Sequence, residues 1–250
     1  DDSLWPKDLN WDHPPGTPKD LAEIRQLLFE GAIQTVDSLL VEKFSRKTVV
    51  RSHQTLGDLF LNLKHTGITN YKRSLNLNEA VVEVNYQTEG YPVSQNTFVS
   101  APHQAIVITL KSEHPQGLNG TLRLDRPKDE GVDTAKTFVQ DGNLIMEGEV
   151  TQRKGSFDSK PAPILNGVQF QTVLKPKFKG GTLTAQGNSI ELNGVQELEL
   201  YIVSNSSYYF ENYSLQNEIQ LVQLSKTQLE YMNQAHIEGH QSLFELLPID

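Results

Sequence analysis

The chain has 250 residues, 37% apolar and 21% charged, enough to bury a core as one large β domain or two small domains, and too apolar to stay disordered. Its formal net charge of −9 repels phosphate backbones and gives no attraction to anionic lipid, which sets nucleic acid and membrane surfaces aside as partners. Cysteine is absent, which removes disulfides, thiol catalysis and thiolate zinc sites, and no apolar run approaches the roughly 20 residues that span a bilayer.

Residues 1–16 are rich in Pro, Asp and Trp and read as a loop. The opening DDSLWPKDLN has neither methionine nor signal-peptide character and reads as a trimmed start. Thr17-Pro18-Lys19-Asp20 is a helix start, with a hydroxyl N-cap, proline at the first helical position and an acid in the first turn. Leu21, Ile24, Leu27 and Leu28, then Ile33, Val36, Leu40 and Phe44, keep helical spacing around Gly31, so 18–44 is one broken helix or two short ones.

From Leu56 the period becomes two. Leu59, Leu61 and Leu63 alternate with polar or opposite-face residues, as do Ala80, Val82, Val84 and Tyr86, and Ile106, Ile108 and Leu110. Further strands are expected at 93–100, 120–125, 143–151, 167–175, 181–186, 189–193 and 196–204, with turns at Thr88-Glu89-Gly90, Gln116-Gly117, Asp141-Gly142, Asn166-Gly167, Gly180-Gly181, Gln186-Gly187-Asn188 and Asn193-Gly194. Residues 126–137 and 152–163 read as polar loops. Strands in series without intervening helices make a mainly β fold, a large antiparallel β-sandwich of two face-to-face sheets. Ser225-Lys226-Thr227-Gln228 has capping-box form, and Leu229, Met232, His236, Leu243 and Leu246 share a face, giving a C-terminal helix over 225–246.

Few residues point to chemistry. His236 and His240 are spaced to clamp a metal on a helix, but Glu238 lies on another face, the zincin order is absent and no third ligand is evident. They read as a packed or capping pair, and neither a metal nor a cofactor is expected. There is no Gly-x-Ser-x-Gly elbow, and Gly180-Gly181 reads as a hairpin turn rather than a phosphate loop. Trp5 and Trp11, beside Asp12 and His13, and the run Tyr208, Tyr209, Phe210 and Tyr213 are of the type that stacks on sugar rings; loop-pinning is the competing reading. Asn119, Asn205 and Asn212 open Asn-x-Ser/Thr triplets of no diagnostic value. RSHQTLGDL (51–59) clusters a histidine, an amide, a hydroxyl and a carboxylate, yet leads directly into a strand; Gly57 permits a tight bend there and Asp58 can bond free amides. The candidate substrate-binding residues are Trp5, Trp11, His13 and His53, and no catalytic residue is assigned.

Taken together these stretches resemble a known family. DDSLW (1–5) resembles the end of an Asn-Glu-Asp-Thr-Leu-Trp-like motif, and LAEIRQLLFEG (21–31) the helix that follows it. SHQTLGDLFL (52–61) resembles a Tyr-Gln-Pro-Leu-Gly-Asp-Leu motif, and YKRSLNLNEAVVEVNY (71–86) a Tyr-x-Arg-x-Leu-Asp-Leu-x-x-Ala segment. FVSAPHQAIVITL (98–110) resembles Phe-Ala-Ser-x-Pro-Asp-Gln-x-Ile-Val; NGVQFQTVLKP and YIVSNSSYY resemble later strands, and AHIEGHQSLF (235–244) the approach to a further domain. The family is glycoside hydrolase family 95, inverting α-L-fucosidases and relatives acting on α-L-galactosides. His53 stands where that family has tyrosine, Thr55 where it has proline and His103 where it has aspartate.

The resemblance implies an N-terminal super-sandwich over 1–224 and a helical linker over 225–250, leading to an (α/α)6 catalytic barrel beyond the chain. In that family the general acid glutamate, and the asparagine and aspartates that hold the attacking water, come from the barrel. Inverting hydrolysis sets the two carboxyls roughly 6.5–9.5 Å apart. The expected role is to support the barrel and rim the pocket for a glycan, in a bacterial protein exported to the periplasm or beyond with its signal peptide outside this sequence. A free-standing carbohydrate-binding domain and a structural module without ligand are the competing classes; a complete enzyme ranks last.

Overall fold

The structure, a computed structural model, describes residues 16–44, 55–128, 134–153, 161–163 and 168–246. Two compact units divide the chain: Lys7–His53, and Asp1–Pro6 with Gln54–Asp250. In the first, α1 (Pro18–Phe29) begins at a reciprocal capping box, in which the Thr17 amide donates to the Asp20 carboxylate at 2.8 Å and the Asp20 amide donates to Thr17 Oγ1 at 3.3 Å. Gly31 at φ +79° ends it, and α2 (Ile33–Phe44) follows, so the helical stretch is two helices. Ile24 and Val36 are its buried apolar positions.

The second unit is the sandwich. Its strands are β1 (Asp58–Leu63), β2 (Ile68–Asn76), β3 (Val81–Thr88), β4 (Tyr91–Ser100), β5 (Ala105–Ser112), β6 (Leu118–Asp125), β7 (Ala135–Gln140), β8 (Asn143–Glu149), β9 (Thr151–Arg153), β10 (Pro161–Pro163), β11 (Gln169–Lys179), β12 (Thr182–Gln186), β13 (Ser189–Val195) and β14 (Glu197–Ser206). A small antiparallel sheet runs β1-β6-β13-β12 and a large one runs β2-β3-β4-β5-β14-β11-β8-β7; β9 and β10 form a separate ribbon. Two-residue turns join β3 to β4 at Glu89-Gly90 and β7 to β8 at Asp141-Gly142, all four residues having positive φ as type I′ hairpins require.

Three expected turns lie where the chain leaves the simple hairpin pattern. Gly180-Gly181 is not a hairpin, because β11 lies in the large sheet and β12 in the small one. Asn193-Gly194 does not end a strand: the pairing of β13 with β6 shifts register between Leu192 and Val195, a bulge that lets β13 run on to the rim. Gln116-Gly117 likewise begins a change of sheet, from β5 to β6. These three crossings meet. A Cβ on Gly181 would lie 2.2 Å from the Asn193 carbonyl oxygen, and one on Gly117 would lie 2.6 Å from the Gly194 backbone. Only backbone fits between strands passing this closely.

Between the sheets lies the main core, with Leu110, Leu118, Leu122, Leu144, Phe170, Leu174, Leu192, Leu198 and Leu200 among its members. The opposite face of the large sheet carries a second core, Phe98, Val107, Val173, Tyr201 and Val203, closed by Leu221, Leu224 and Met232 from two helices. These are α3 (Tyr213–Lys226), across β14 and β11, and α4 (Leu229–Phe244), across β4. The single helix expected over 225–246 is therefore corrected to two, starting at Tyr213. Ser225 and Thr227 do not open a helix. Their hydroxyls donate back to the Leu221 and Gln223 carbonyls at 2.6 and 3.0 Å, closing the last turn of α3.

Candidate functional site

Trp5, Trp11, His13 and His53 lie outside the described residues. The described segment from Thr55 onward is a lead into β1. Gly57, at φ +155°, has no room for a Cβ beneath Met146, and the Arg126 Nε–H donates to the Thr55 carbonyl at 2.8 Å. Arg126 also lies over the Phe170 ring, so this lead is stitched to the sandwich rather than opened toward a ligand.

Most of the other sequence candidates resolve into packing. Tyr208 rests on Val150 and Val168, Tyr209 meets it edge-on at 4.8 Å, and the Tyr213 hydroxyl donates to Gln169 Oε1 at 3.3 Å. Tyr208 and Tyr213 pin the β14–α3 connection, while Tyr209, 64% exposed, and Phe210 stay at the surface. His236 and His240 donate from Nε2 to the Ala80 and Leu77 carbonyls at 3.2 and 2.8 Å, clasping the β2–β3 turn. His236 stacks on Phe98, and the buried stripe of α4 runs through Met232 and His236, whereas Leu243 and Leu246 are exposed. All three Asn-x-Ser/Thr asparagines are engaged: Asn119 in the bulge, Asn205 beneath α3, and Asn212 as the N-cap of α3.

Among the described residues, the carboxyls whose proton affinity is perturbed are pulled down. Thr17 bonding lowers Asp20; Thr66 and His114 bonding lowers Glu89; Lys136 lowers Glu147; and Lys179 lowers Glu197. A glycosidase general acid needs the opposite, a carboxyl raised toward neutrality. Two histidines are held neutral by burial: His65, bonded through Nδ1 to the Tyr86 hydroxyl at 2.7 Å, and His103. Among the described residues no group of three His, Asp or Glu is placed to hold a metal.

Among the described residues, two concave sites flank α3: one of about 170 Å³ beside the β7–β8 turn, lined by Asp141 and Glu218 among others, and a cleft of about 230 Å³ between the β4–β5 turn, Ala101–Gln104, and α3. Gln220 holds its two walls together: its Nε2 donates to the His103 and Gln104 carbonyls at 3.0 and 2.7 Å, and its Oε1 accepts from Asn205 at 3.2 Å. Beneath it Asn217, fully buried, donates to the Gln171 carbonyl at 2.9 Å and accepts from Asn205 at 2.8 Å. His103 is fixed by a 2.8 Å bond between its Nδ1 and Ser100 Oγ. The side-chain amides of Gln104, Gln216 and Gln223 also line the cleft and bond no other described residue. Pro102, Ile219 and Leu224 supply its apolar surface, and no carboxylate or ammonium lines it among the described residues. The sequence reading missed this site. Its signal was the spacing of Gln216, Gln220 and Gln223, which shares one helical face once 213–226 is read as helix.

An antiparallel super-sandwich whose large sheet is backed by a helical pair is the architecture of an N-terminal domain of glycoside hydrolases. Residues 1–210 match the family described as glycosyl hydrolase family 65, N-terminal domain, and the chain belongs to it. Alpha-L-fucosidase 2 of Arabidopsis thaliana is 26% identical over 183 residues, which cover 68% of this chain and 21% of that protein. The chain thus spans about a fifth of that relative's length. A solved structure provisionally named kojibiose phosphorylase, from the human microbiome, superposes with a TM-score of 0.45 and 12% identity, covering 72% of this chain and 27% of that one.

Proposed function

We propose that the chain is the scaffold domain of an α-L-fucosidase-type glycoside hydrolase related to family 95, and that its inner sheet face seats a helical catalytic barrel of the same polypeptide. The observation that carries this reading is a row of side chains in register across the large sheet: Leu200, Ile108, Thr97, Val82 and Leu75. It begins in the core at Leu200, 0% exposed, and ends at Leu75, 56% exposed, without becoming charged. A neighbouring row, Ile202, Ile106 and Val99, ends at Val99, 62% exposed. Four strands cannot cover eight, and beyond the small sheet these two rows stay uncharged and mostly apolar, whereas the next row on the same face, Leu198, Leu110, Gln95, Val84 and Arg73, turns polar toward β2. Contiguous apolar surface of this kind marks an interaction face. The fucosidase relative supports the sugar class, and the downward-shifted carboxyls support chemistry supplied from elsewhere.

Release of aryl alcohol from α-L-fucosides and α-L-galactosides tests this, with the 250-residue chain beside a version extended downstream in its parent gene. Activity in the extended protein alone is the expected result. Activity in this chain alone, lost on changing one of its own acids, overturns the proposal.

A further inference from the structure

We propose that the cleft between the β4–β5 turn and α3 is a second, non-catalytic binding site for a single neutral pyranose. The choice of a sugar among neutral polar ligands rests on the glycoside hydrolase reading above; the site itself rests on its own geometry.

The argument is one of donor and acceptor matching. A primary amide presents two donors and an acceptor, and a sugar hydroxyl is donor and acceptor at once. Gln104, Gln216 and Gln223 line the cleft from both walls, their side-chain amides bonding no other described residue, while Gln220 and Asn205, already bonded to the protein, tie the walls together. The backbones that carry these amides are thus held at a fixed spacing before any ligand arrives, so binding orders the three glutamine side chains but does not rebuild the walls. Pro102 and Ile219, 44% exposed, offer apolar contact to the C–H face of a ring. Charge selects as well. The only titratable group on the described lining is His103, and burial lowers its proton affinity, so the cleft presents neither cation nor anion near neutral pH. A uronic acid or a sugar phosphate would leave its charge unpaired there. The volume, about 230 Å³, fits one ring rather than a chain, and falls below the several hundred Å³ typical of drug-sized pockets.

The test is titration of the 250-residue chain with D-glucose, D-galactose, L-fucose and D-glucuronate, following the side-chain NH₂ signals of its glutamines by ¹H–¹⁵N NMR. Signals of Gln216 and Gln223 are assigned from their alanine variants. For a ligand of about 11 heavy atoms a dissociation constant on the order of 1–10 mM is expected. At least one neutral sugar should shift the Gln216 and Gln223 signals, and glucuronate should bind at least about tenfold more weakly. Gln216→Ala with Gln223→Ala, which removes two side chains that bond no other described residue, should weaken binding about tenfold or more with the circular dichroism unchanged. Gln234→Ala on α4 should leave binding intact. No shift at about ten times the expected constant overturns the proposal, as does binding that survives the double substitution or does not distinguish glucuronate. Hydrolysis does not enter this readout. A cleft that binds nothing beside an extended protein that hydrolyses fucosides would defeat this inference and leave the scaffold reading standing; the converse outcome would do the reverse.

Discussion

Asn217 is the polar residue on which the seating of α3 depends, and Asn217→Ala measures it. The side chain is fully buried and makes three contacts: Nδ2 to the Gln171 carbonyl at 2.9 Å, Nδ2 to Gln171 Oε1 at 3.2 Å, and Oδ1 from Asn205 at 2.8 Å. Two of these are short enough to count fully, each contributing about 1 kcal/mol net. Stranding their partners would add about 1–3 kcal/mol per group, but both have a second bond. Asn205 still reaches Gln220 at 3.2 Å, and the Gln171 carbonyl still accepts from Ser204 at 3.3 Å. The expected loss is therefore about 2 kcal/mol, the hydrogen bonds plus a small cavity, and not the roughly 4 or more that two orphaned groups would produce. Urea unfolding followed by far-UV circular dichroism gives the number, with Val222→Ala, on the exposed side of the same helix, as the control. A loss under about 0.5 kcal/mol, or one no larger than the control's, refutes the claim that this amide anchors the helix.

The same packing gives three further expectations. Gly181→Ala places a Cβ 2.2 Å from the Asn193 oxygen at a residue with φ +60°, and should cost at least about 2 kcal/mol in urea unfolding, whereas Gly142→Ala, at φ +75° but in open space, should cost only about 1 kcal/mol. His65 and His103 are neutral in the fold through burial, so the unfolded chain binds their protons first as pH falls. Stability should be flat above about pH 7 and decline as pH drops below the ordinary histidine value near 6.5; His65→Gln with His103→Gln should flatten that decline, and an unchanged pH profile would contradict it. Leu75→Asp should leave the isolated chain's stability within about 0.5 kcal/mol, yet lower the thermal stability and fucoside hydrolysis of the downstream-extended protein; no effect there would place the barrel elsewhere.

How much the sequence reveals depends on which contacts are local. Strand β1 half-buries one face and its alternation shows it, whereas β3 and β5 pack Val81 and Val107 on the outer face and Tyr86 and Leu110 on the inner one, so their alternation marks a strand but not which face is covered. Strand β2 is exposed at nearly every position, so ITNYKRSLN carries no period to read beyond its resemblance to a family motif. Strand β7 lies at the sheet edge, half-buried, inside what reads as a polar loop. Turn residues announce where the chain bends, but not which sheet it enters next. Gly180-Gly181 has the composition of a hairpin, and only the pairing of β12 with β13 makes it a crossing. Helix α3 is hidden because its buried face includes Asn217 while Leu215, Ile219 and Val222 are exposed, so its apolar residues mark no single face. The cleft is illegible for the same reason: half of it lies on that helix, and the turn it faces is more than 100 residues away, Gln220 and His103 being 117 apart.

The two faces of the large sheet end differently, and the difference bears on what the domain is for. On the outer face the helices cover Tyr201, Val107 and Phe98; the next row in register is Lys177, Glu199, Thr109, Asn96 and Glu83, polar throughout. There the sequence changes character where the cover stops, as it does on a surface that meets water. On the inner face the small sheet stops, but Val82, Leu75, Ile106 and Val99 continue the core. A strand serves both faces with alternate residues, so the same strands β3, β4 and β5 carry both solutions, and no local propensity distinguishes them. The clasp of His236 and His240 holds α4 on the turn that joins β2 to β3, at the end of the apolar row that Leu75 closes. A polypeptide continuing from α4 starts beside that row. On the proposal above, a barrel attached there would bury Leu75, Val82 and Val99 without a long connection, and the amide cleft, walled by α3 on the opposite face, would stay free to bind a sugar of its own.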